Sequence, residues 1–176
     1  MMSTVKWTID PTHSEINFKV KHLVISTVTG KFKEFEGAAE VPADDFSGSK
    51  IAFSANTDSI DTNQSDRDAH LKSEDFFDAE KFPKLSFSNG VLSNEGGNYT
   101  LKGDLTIKDI TKSIELDVDF GGVAEDPYGN TKAGFDLEGK ISRKEFGLTW
   151  DAVTEAGNVM VGDPIRILAS IQLVKN

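Results

Sequence analysis

The stretch SIELDVDF, residues 113–120, decides the fold class of this chain. Apolar and acidic side chains alternate along it without a break: Ile114, Leu116, Val118 and Phe120 against Glu115, Asp117 and Asp119. A period of two is that of a half-buried antiparallel strand, which turns one face to the core and the other to water. The stretch therefore predicts a sheet with one apolar and one charged side.

The same alternation recurs along most of the chain, in residues 14–22, 30–41, 50–56, 85–92, 99–107, 135–141 and 165–173. About eight antiparallel strands result, without the strand–helix–strand rhythm of an α/β fold, so a closed barrel and a two-sheet sandwich are the candidates. Several strands exceed the usual length of about five or six residues. Glycines occur in mid-strand, where coiled barrels bend, at Gly37, Gly103 and Gly139. Both features favour an all-β barrel.

A helical insert interrupts the strands at residues 65–78, SDRDAHLKSEDFFD. The spacing of Arg67, His70 and Leu71 places these side chains on one helical face, and Ser65 is the predicted N-cap. A short aromatic insert between strands is expected to act as a lid over the barrel mouth.

Three smaller irregularities are expected elsewhere. Residues 143–148, RKEFGL, predict a single helical turn, and residues 150–160 follow no regular pattern. The alternation slips between Phe32 and Phe35, which predicts a β-bulge.

Composition limits the function classes. The 176 residues suit one domain spanning 1–176, and a net charge of −10 predicts repulsion of nucleic acids and anionic lipid headgroups. The absence of cysteine excludes disulfides and thiolate chemistry. No apolar run approaches the roughly 20 residues of a membrane span, so no integral membrane segment is expected. The N-terminus has no apolar signal segment, which predicts a cytoplasmic protein as written and a periplasmic one if a leader has been removed.

Histidine is the scarcest candidate for chemistry, with three residues, His13, His22 and His70. His22 lies on the apolar side of its strand and His70 on the Arg67 face of the insert. Either both converge on one pocket, or each is a histidine satisfied by a nearby carbonyl. Their spacing is not that of a zinc site, and no nucleophile or phosphate-loop motif is present, so neither metal binding nor catalysis is expected.

The sequence allows more than one interpretation of Arg67 and of several aromatic side chains. Arg67 with Asp68, and Arg143 with Glu145, are expected to form local ion pairs at the surface. If Arg67 instead points inward, it could receive the polar head of a ligand. The aromatic side chains are equally compatible with a packed core or with a pocket lining: Phe76, Phe77, Phe82, Phe87 and Phe146.

The order of motifs resembles the YceI-like polyisoprenoid-binding protein family over nearly the whole chain. The resemblance begins with Trp7-Thr8-Ile9-Asp10, His13-Ser14, Phe18-x-Val20-x-His22 and Gly30-x-Phe32. Its longest block is Arg67-x-x-His70-Leu71-Lys72-Ser73-x-Asp75-Phe76-Phe77, followed by Phe82-Pro83 and Phe87. The remaining motifs are Gly103-x-Leu105-Thr106-Ile107 with Thr111, Arg143 with Phe146-Gly147-Leu148, and Val161-Gly162-Asp163.

The resemblance implies a lipocalin-like, extended eight-stranded antiparallel β-barrel with a long apolar tunnel. Family members hold one isoprenoid or similar long-chain amphiphile there, are not known as enzymes, and in several cases form homodimers. The family often has histidine and glycine where this chain has Lys108 and Asp109, so no headgroup role is assigned to that turn.

The resulting hypothesis is a protein that binds, sequesters or carries a long-chain isoprenoid lipid, without a metal or cofactor. Its partners are expected to be the lipid and a second copy of the chain, not nucleic acid. The alternatives are a hydrolase or isomerase with His22 or His70 as base, and a ligand-free stress-response barrel. The predicted ligand-binding residues are Ile16, Phe18, Val20, His22, Phe32, Arg67, His70, Leu71, Phe76, Phe77, Leu85, Phe87 and Phe146.

Overall fold

The computed structural model describes residues 4–23, 25–42, 46–150 and 161–176, and most of these residues lie in β-strands. The strands are β1 (Thr4–Ile9), β2 (Glu15–His22), β3 (Ser26–Phe32), β4 (Phe35–Pro42), β5 (Lys50–Asn56), β6 (Ile60–Asp61), β7 (Lys84–Glu95), β8 (Asn98–Ile107), β9 (Ile110–Glu125), β10 (Thr131–Ser142) and β11 (Val161–Lys175). The helix α1 spans Ser65–Lys72, and 3-10 helices span Pro11–His13, Thr57–Ser59 and Lys144–Phe146. The irregular segment expected at 150–160 lies outside the described residues apart from Trp150.

Eight antiparallel strands close into a barrel in the order β1-β4-β5-β7-β8-β9-β10-β11, with β11 returning to β1. The last strand makes the closure. β11 pairs with β10 on one side, and on the other side with β1 and then β2. The predicted all-β, eight-stranded antiparallel barrel is therefore confirmed.

Eleven strands occupy eight positions around the barrel, and we call each position a stave. Each of the first three staves consists of two consecutive short strands. β1 and β2 follow one another along β11, separated by the 3-10 helix Pro11–His13. β3 and β4 likewise pair with β2 and β1 in turn, and β5 and β6 pair with β4 and β3. Merging the halves gives eight staves in chain order, which is an up-and-down barrel.

The alternation of inward and outward residues changes between Phe32 and Phe35 because the strand is interrupted there. The predicted β-bulge is therefore wrong. β3 ends at Phe32 and β4 begins at Phe35. The backbone groups released there find other partners, since Lys33 N donates to Ser59 O (3.1 Å) and Glu34 N donates to Ser59 Oγ (3.0 Å). A turn that is satisfied in this way costs little and lets the stave bend.

The insert forms α1 and a further turn, as predicted, but its N-cap is Gln64 and not Ser65. Gln64 has extended backbone angles, and its side chain accepts a hydrogen bond from Arg67 N. Beyond the helix, Phe77 N donates to Leu71 O (3.0 Å), which folds the aromatic part of the insert back onto α1. The predicted turn at 143–148 is the 3-10 helix Lys144–Phe146. Its C-cap is Gly147, which has a left-handed backbone conformation. The described part of the chain contains no helix that could serve as a transmembrane span.

Two glycines make room for phenylalanine rings inside the barrel. A Cβ atom on Gly30 would lie 2.2 Å from Cζ of Phe18, and one on Gly103 would lie 2.4 Å from Cζ of Phe87 and 2.9 Å from the backbone of Gly90. Both distances are far below van der Waals contact. The rings can therefore lie flat against the wall only because these positions lack a side chain.

We expect Gly103→Ala to lower the free energy of unfolding by about 1–3 kcal/mol, because the added methyl group displaces the buried Phe87 ring. Gly134→Ala is the matched control, since a Cβ atom there meets nothing within 4 Å. Urea unfolding of both variants tests this. Phe87→Leu in the Gly103→Ala background should recover part of the loss, and equal stability of the two single variants would contradict the packing argument.

A cluster of charges ties the split between β1 and β2 to the β9–β10 hairpin. Asp10 Oδ2 accepts hydrogen bonds from Lys132 Nζ and from His13 Nδ1, both at 2.8 Å, and Oδ1 accepts from the backbone and hydroxyl of Thr12. Lys132 Nζ also lies 3.7 Å from Asp126 Oδ2. These donors, the Lys132 ammonium foremost, hold the pKa of the Asp10 carboxyl well below its usual range.

Asp10→Asn should therefore destabilise the fold by about 1–2 kcal/mol near neutral pH, where the wild-type carboxylate is charged in the folded and unfolded chain. Because the folded pKa is depressed, this stabilisation is present above the unfolded pKa of about 4 and is lost as the pH falls below it. Thermal melts at a series of pH values should show the two proteins converging below about pH 4. A constant difference down to the lowest pH would contradict this role for the carboxylate.

Candidate functional site

A cavity of about 580 Å³ occupies the interior of the barrel. Its walls are the inward members of the alternating strands, for example Ile165, Ile167, Ala169, Ile171 and Leu173 of β11. The intervening Arg166 and Ser170 are exposed on the outer face. The period of two thus separates an apolar interior from a polar exterior along the same strand.

One end of the cavity is closed by aromatic rings. Phe46 packs at a centroid distance of 5.2 Å against each of Trp7, Phe120 and Phe135. Phe120 and Phe135 are themselves stacked at 5.1 Å. Phe46 and Phe135 line the cavity, so this group forms its floor. We call these four residues the aromatic floor.

The opposite end of the cavity opens to solvent. Among the lining residues, Lys21 at the end of β2 and Gln64, Asp66 and Arg67 at the start of α1 are exposed. Ala52 on β5 also lines the cavity and is exposed, but only these four residues form a group of polar side chains, and that group marks a mouth. The mouth therefore lies between the β2–β3 hairpin and α1.

The structure explains why the barrel opens at this place. β3 pairs with β2 along its whole length, but β6 covers only Lys31 and Phe32 on its other side. In the described ranges the stretch 26–30 of β3 has no second strand partner. The short β6 therefore leaves a gap in the wall, and α1 follows immediately after it.

All of the predicted ligand-binding residues except Phe146 line the cavity. Phe146 is only 1 % exposed and packs in the core outside the lining. Contact of the other residues with a ligand stays a prediction. Sequence reasoning missed Phe46 and Trp150, which lie in segments without strand or helix periodicity and so gave no signal. It also missed much of the inward faces of β10 and β11, which the alternation had marked as apolar.

His22 and His70 line the same cavity, which is the first of the two alternatives that the sequence left open, whereas His13 belongs to the Asp10 cluster. His70 Nε2 lies 2.9 Å from Asp75 Oδ2, and the imidazole packs edge-on against Phe76 at 5.1 Å and Trp150 at 4.6 Å. The ring is thus held by a carboxylate and two aromatic neighbours. It contributes one polar edge to an otherwise aromatic part of the wall.

Arg67 lies at the mouth but does not form the ion pair predicted with Asp68. Arg67 donates from Nε to Thr62 Oγ1 and from Nη2 to Thr62 O, both at 2.7 Å. Asp68 instead accepts from Thr62 N at 2.8 Å. Thr62 thus fixes both side chains, and the guanidinium keeps further N–H donors for a ligand at the rim.

Arg143 does not form the predicted surface ion pair with Glu145 either, because its side chain is buried. Only 2 % of Arg143 is exposed. Among the described residues, its guanidinium donates to the backbone carbonyls of Leu148 (2.6 Å), Trp150 (2.8 Å), Gly162 (2.8 Å) and Val161 (3.0 Å). It therefore joins the turn after β10 to the start of β11 and forms part of the cavity wall.

We expect Arg143→Lys to lower the free energy of unfolding by about 2–4 kcal/mol, because an ammonium group cannot reproduce the planar set of donors and leaves carbonyls unsatisfied. The matched control is Arg166→Lys, at an exposed ion pair with Glu138, for which less than about 1 kcal/mol is expected. Chemical denaturation of both variants checks the difference. Similar losses at the two positions would contradict a special role for Arg143.

Comparison with known proteins agrees with this architecture. Residues 7–173 match the YceI-like domain model. The chain is 37 % identical to protein YceI of Salmonella newport over 139 residues, which cover 79 % of this chain and 73 % of that protein. A solved YCEI protein of Campylobacter jejuni is 29 % identical with a TM-score of 0.72, over 89 % of this chain and 90 % of that chain.

A polyisoprenoid binding domain from Saccharophagus degradans has the same fold, with a TM-score of 0.72 at 10 % identity, over 98 % of this chain and 99 % of that chain. The family match covers nearly the whole chain and agrees with the curated relative and with the barrel itself. This chain belongs to the YceI-like domain family.

Proposed function

We propose that the protein binds one long-chain isoprenoid lipid, of the polyprenyl or isoprenoid-quinone type, inside the barrel, and that it sequesters or carries this lipid. The observation that carries the proposal is the mostly apolar cavity with a polar mouth between the β2–β3 hairpin and α1. Its volume of about 580 Å³ lies within the range of about 300–1,000 Å³ that is usual for small-molecule sites. Membership of the YceI-like family, and the solved polyisoprenoid binding domain with the same fold, support the choice of ligand class.

The lipid tail is held by removal from water. Each CH₂ group that moves from water to an apolar wall contributes about 0.8 kcal/mol, so a long tail needs few directional contacts. The inward side chains of β2, β10 and β11 provide such a wall, and Phe18 and Phe87 add flat rings to it. The aromatic floor limits how far the tail can enter.

The polar head of the lipid remains at the mouth. Arg67 is positioned there by Thr62, and His22, Gln64 and His70 lie in the same part of the lining. These side chains can donate hydrogen bonds to the oxygen atoms of a quinone, an alcohol or a phosphate.

The proposed activity is binding without turnover. His22 lies at the end of β2 and His70 on α1, both next to the mouth, and most of the other lining side chains are apolar. His70 is bonded to Asp75, which orients the ring and is sufficient to explain why a polar residue lies among aromatic neighbours.

Native mass spectrometry of the freshly purified protein, followed by organic extraction and lipid mass analysis, tests the proposal directly. We expect a stoichiometric adduct that extracts as an isoprenoid. Extraction of a fatty acid or fatty amide would contradict the isoprenoid assignment while retaining a lipid-binding cavity. A protein without adduct, whose melting temperature does not respond to added prenyl quinones, would overturn lipid binding.

Two adjacent substitutions on β11 separate the interior of the barrel from its surface. Ala169→Phe places a ring in the cavity and should reduce ligand occupancy by about ten-fold or more, because the ring competes with the tail for the same space. Ser170→Phe places the same ring on the exposed outer face and should leave occupancy unchanged. Occupancy is measured as the bound fraction in native mass spectra of both folded variants. An equal loss in both would show that the tail does not lie inside the barrel.

A further inference from the structure

The tip of the β2–β3 hairpin exposes a large aliphatic side chain. Ile25 is 85 % exposed, and Leu23 at the start of the turn has a left-handed backbone with φ of 53°. A single exposed isoleucine is ordinary for a protein surface. This tip differs from other surface positions because lysines flank it and because it lies next to the cavity mouth.

The hairpin is basic in a chain that is otherwise acidic. Residues 16–33 contain Lys19, Lys21, Lys31 and Lys33 and no acidic residue, although the net charge of the chain is −10. Lys33 is paired with Asp61 at 3.1 Å. In the part of the chain that the structure describes, Lys19 and Lys21, which lie closest to the tip, have no ion pair.

The positive charge continues across the outer wall next to the hairpin. Lys19 lies opposite Arg166, and Arg166 lies opposite Lys140 in the next strand pair. The neighbours Phe18, Val20, Ile165 and Ile167 line the cavity, so the cations project from the outer face. Glu138 is the acidic partner of Arg166.

The hairpin also borders the cavity mouth. Lys21 and His22 at the end of β2, and Val28 on the open edge of β3, line the cavity itself. A surface that contacts the tip would therefore face the gap between β3 and α1. A lipid that passes through this gap would leave or enter the barrel next to Ile25.

We propose that the β2–β3 hairpin docks the protein on an anionic phospholipid bilayer, with the exposed Ile25 in the interfacial layer and Lys19 and Lys21 at the lipid headgroups. An exposed aliphatic side chain near lysines combines the two contributions that strengthen interfacial membrane binding, apolar burial and attraction to anionic lipids. The overall charge of −10 predicts repulsion from such a surface, but charges beyond the Debye length of about 8–10 Å are screened at physiological salt, so the local charge at the contact decides. The physiological purpose, delivery of a bilayer lipid to the mouth, rests on the proposed function.

Flotation of the full-length protein with vesicles tests the docking. Vesicles of phosphatidylcholine with one third phosphatidylglycerol should bind the wild type, and vesicles of pure phosphatidylcholine should not. Ile25→Ser should reduce binding about five-fold or more, since the buried aliphatic side chain is lost. Lys19→Gln with Lys21→Gln should reduce it about 25-fold, because each lysine near an anionic surface contributes about a five-fold gain. Raising the salt concentration should weaken wild-type binding.

Tyr128→Ser is the matched control. Tyr128 is 89 % exposed at the turn between β9 and β10, at the floor end of the barrel, and its replacement should leave flotation unchanged. An equal loss in this variant, or wild-type binding that does not depend on phosphatidylglycerol, would overturn the proposal. Sedimentation velocity is run in parallel. Self-association that Ile25→Ser abolishes, without any vesicle binding, would assign the tip to a second copy of the chain instead.

The extraction experiment keeps this inference separate from the proposed function. A protein that carries an isoprenoid but ignores anionic vesicles refutes the docking surface alone. A protein that floats with anionic vesicles through the hairpin tip, but carries no lipid, supports the docking surface and refutes the proposed cargo.

Discussion

The structure depends on closure of the sheet by its last strand. β11 must pair with β10 on one side and with both β1 and β2 on the other, so it joins residues separated by more than 150 positions, such as Ile9 and Leu173. Closure gives the edges of β1 and β2 a partner in β11 and encloses the interior, although in the described part of the chain residues 26–30 of β3 keep an open edge. The cavity, its floor and its mouth exist only once these distant pairings have formed.

Side chains do not fill the interior of the barrel, so the fold lacks the packing contacts that a solid core would make. A filled interior would be more stable, because an empty apolar volume forfeits the contacts that its lining could make. Here the rings of Phe18 and Phe87 lie flat against glycines, which widens the interior, while the aromatic floor closes one end. An interior that opens to solvent and is lined mostly by apolar side chains is what a lipid tail requires and what a ligand-free core would avoid.

Polar side chains in the wall are held by hydrogen bonds to nearby groups. Arg67 bonds to Thr62, His70 to Asp75, and Arg143 to backbone carbonyls. Sequence proximity suggested ion pairs of Arg67 with Asp68 and of Arg143 with Glu145, and both assignments were wrong. A long side chain reaches several ångströms from its own backbone, so the groups that the fold brings within reach decide its partners, and Arg143 meets carbonyls of the β11 start that lie about 18 residues away in sequence.

The sequence by itself determined most of the long strands of this protein, the helical insert, and the face that those strands bury. Alternation is a local property, so Ile16, Phe18 and Val20, or Ile165 and Ile167, could be assigned to the inner face without knowledge of their neighbours. The motif order around Arg67 and His70 also indicated the family. Only the tertiary structure decided that the inner faces enclose a void, that Phe46 closes it while Phe146 lies outside it, and that the short β6 leaves a mouth beside a basic hairpin. These features depend on the total volume and the relative positions of side chains from many strands. A local sequence pattern contains no information on either quantity.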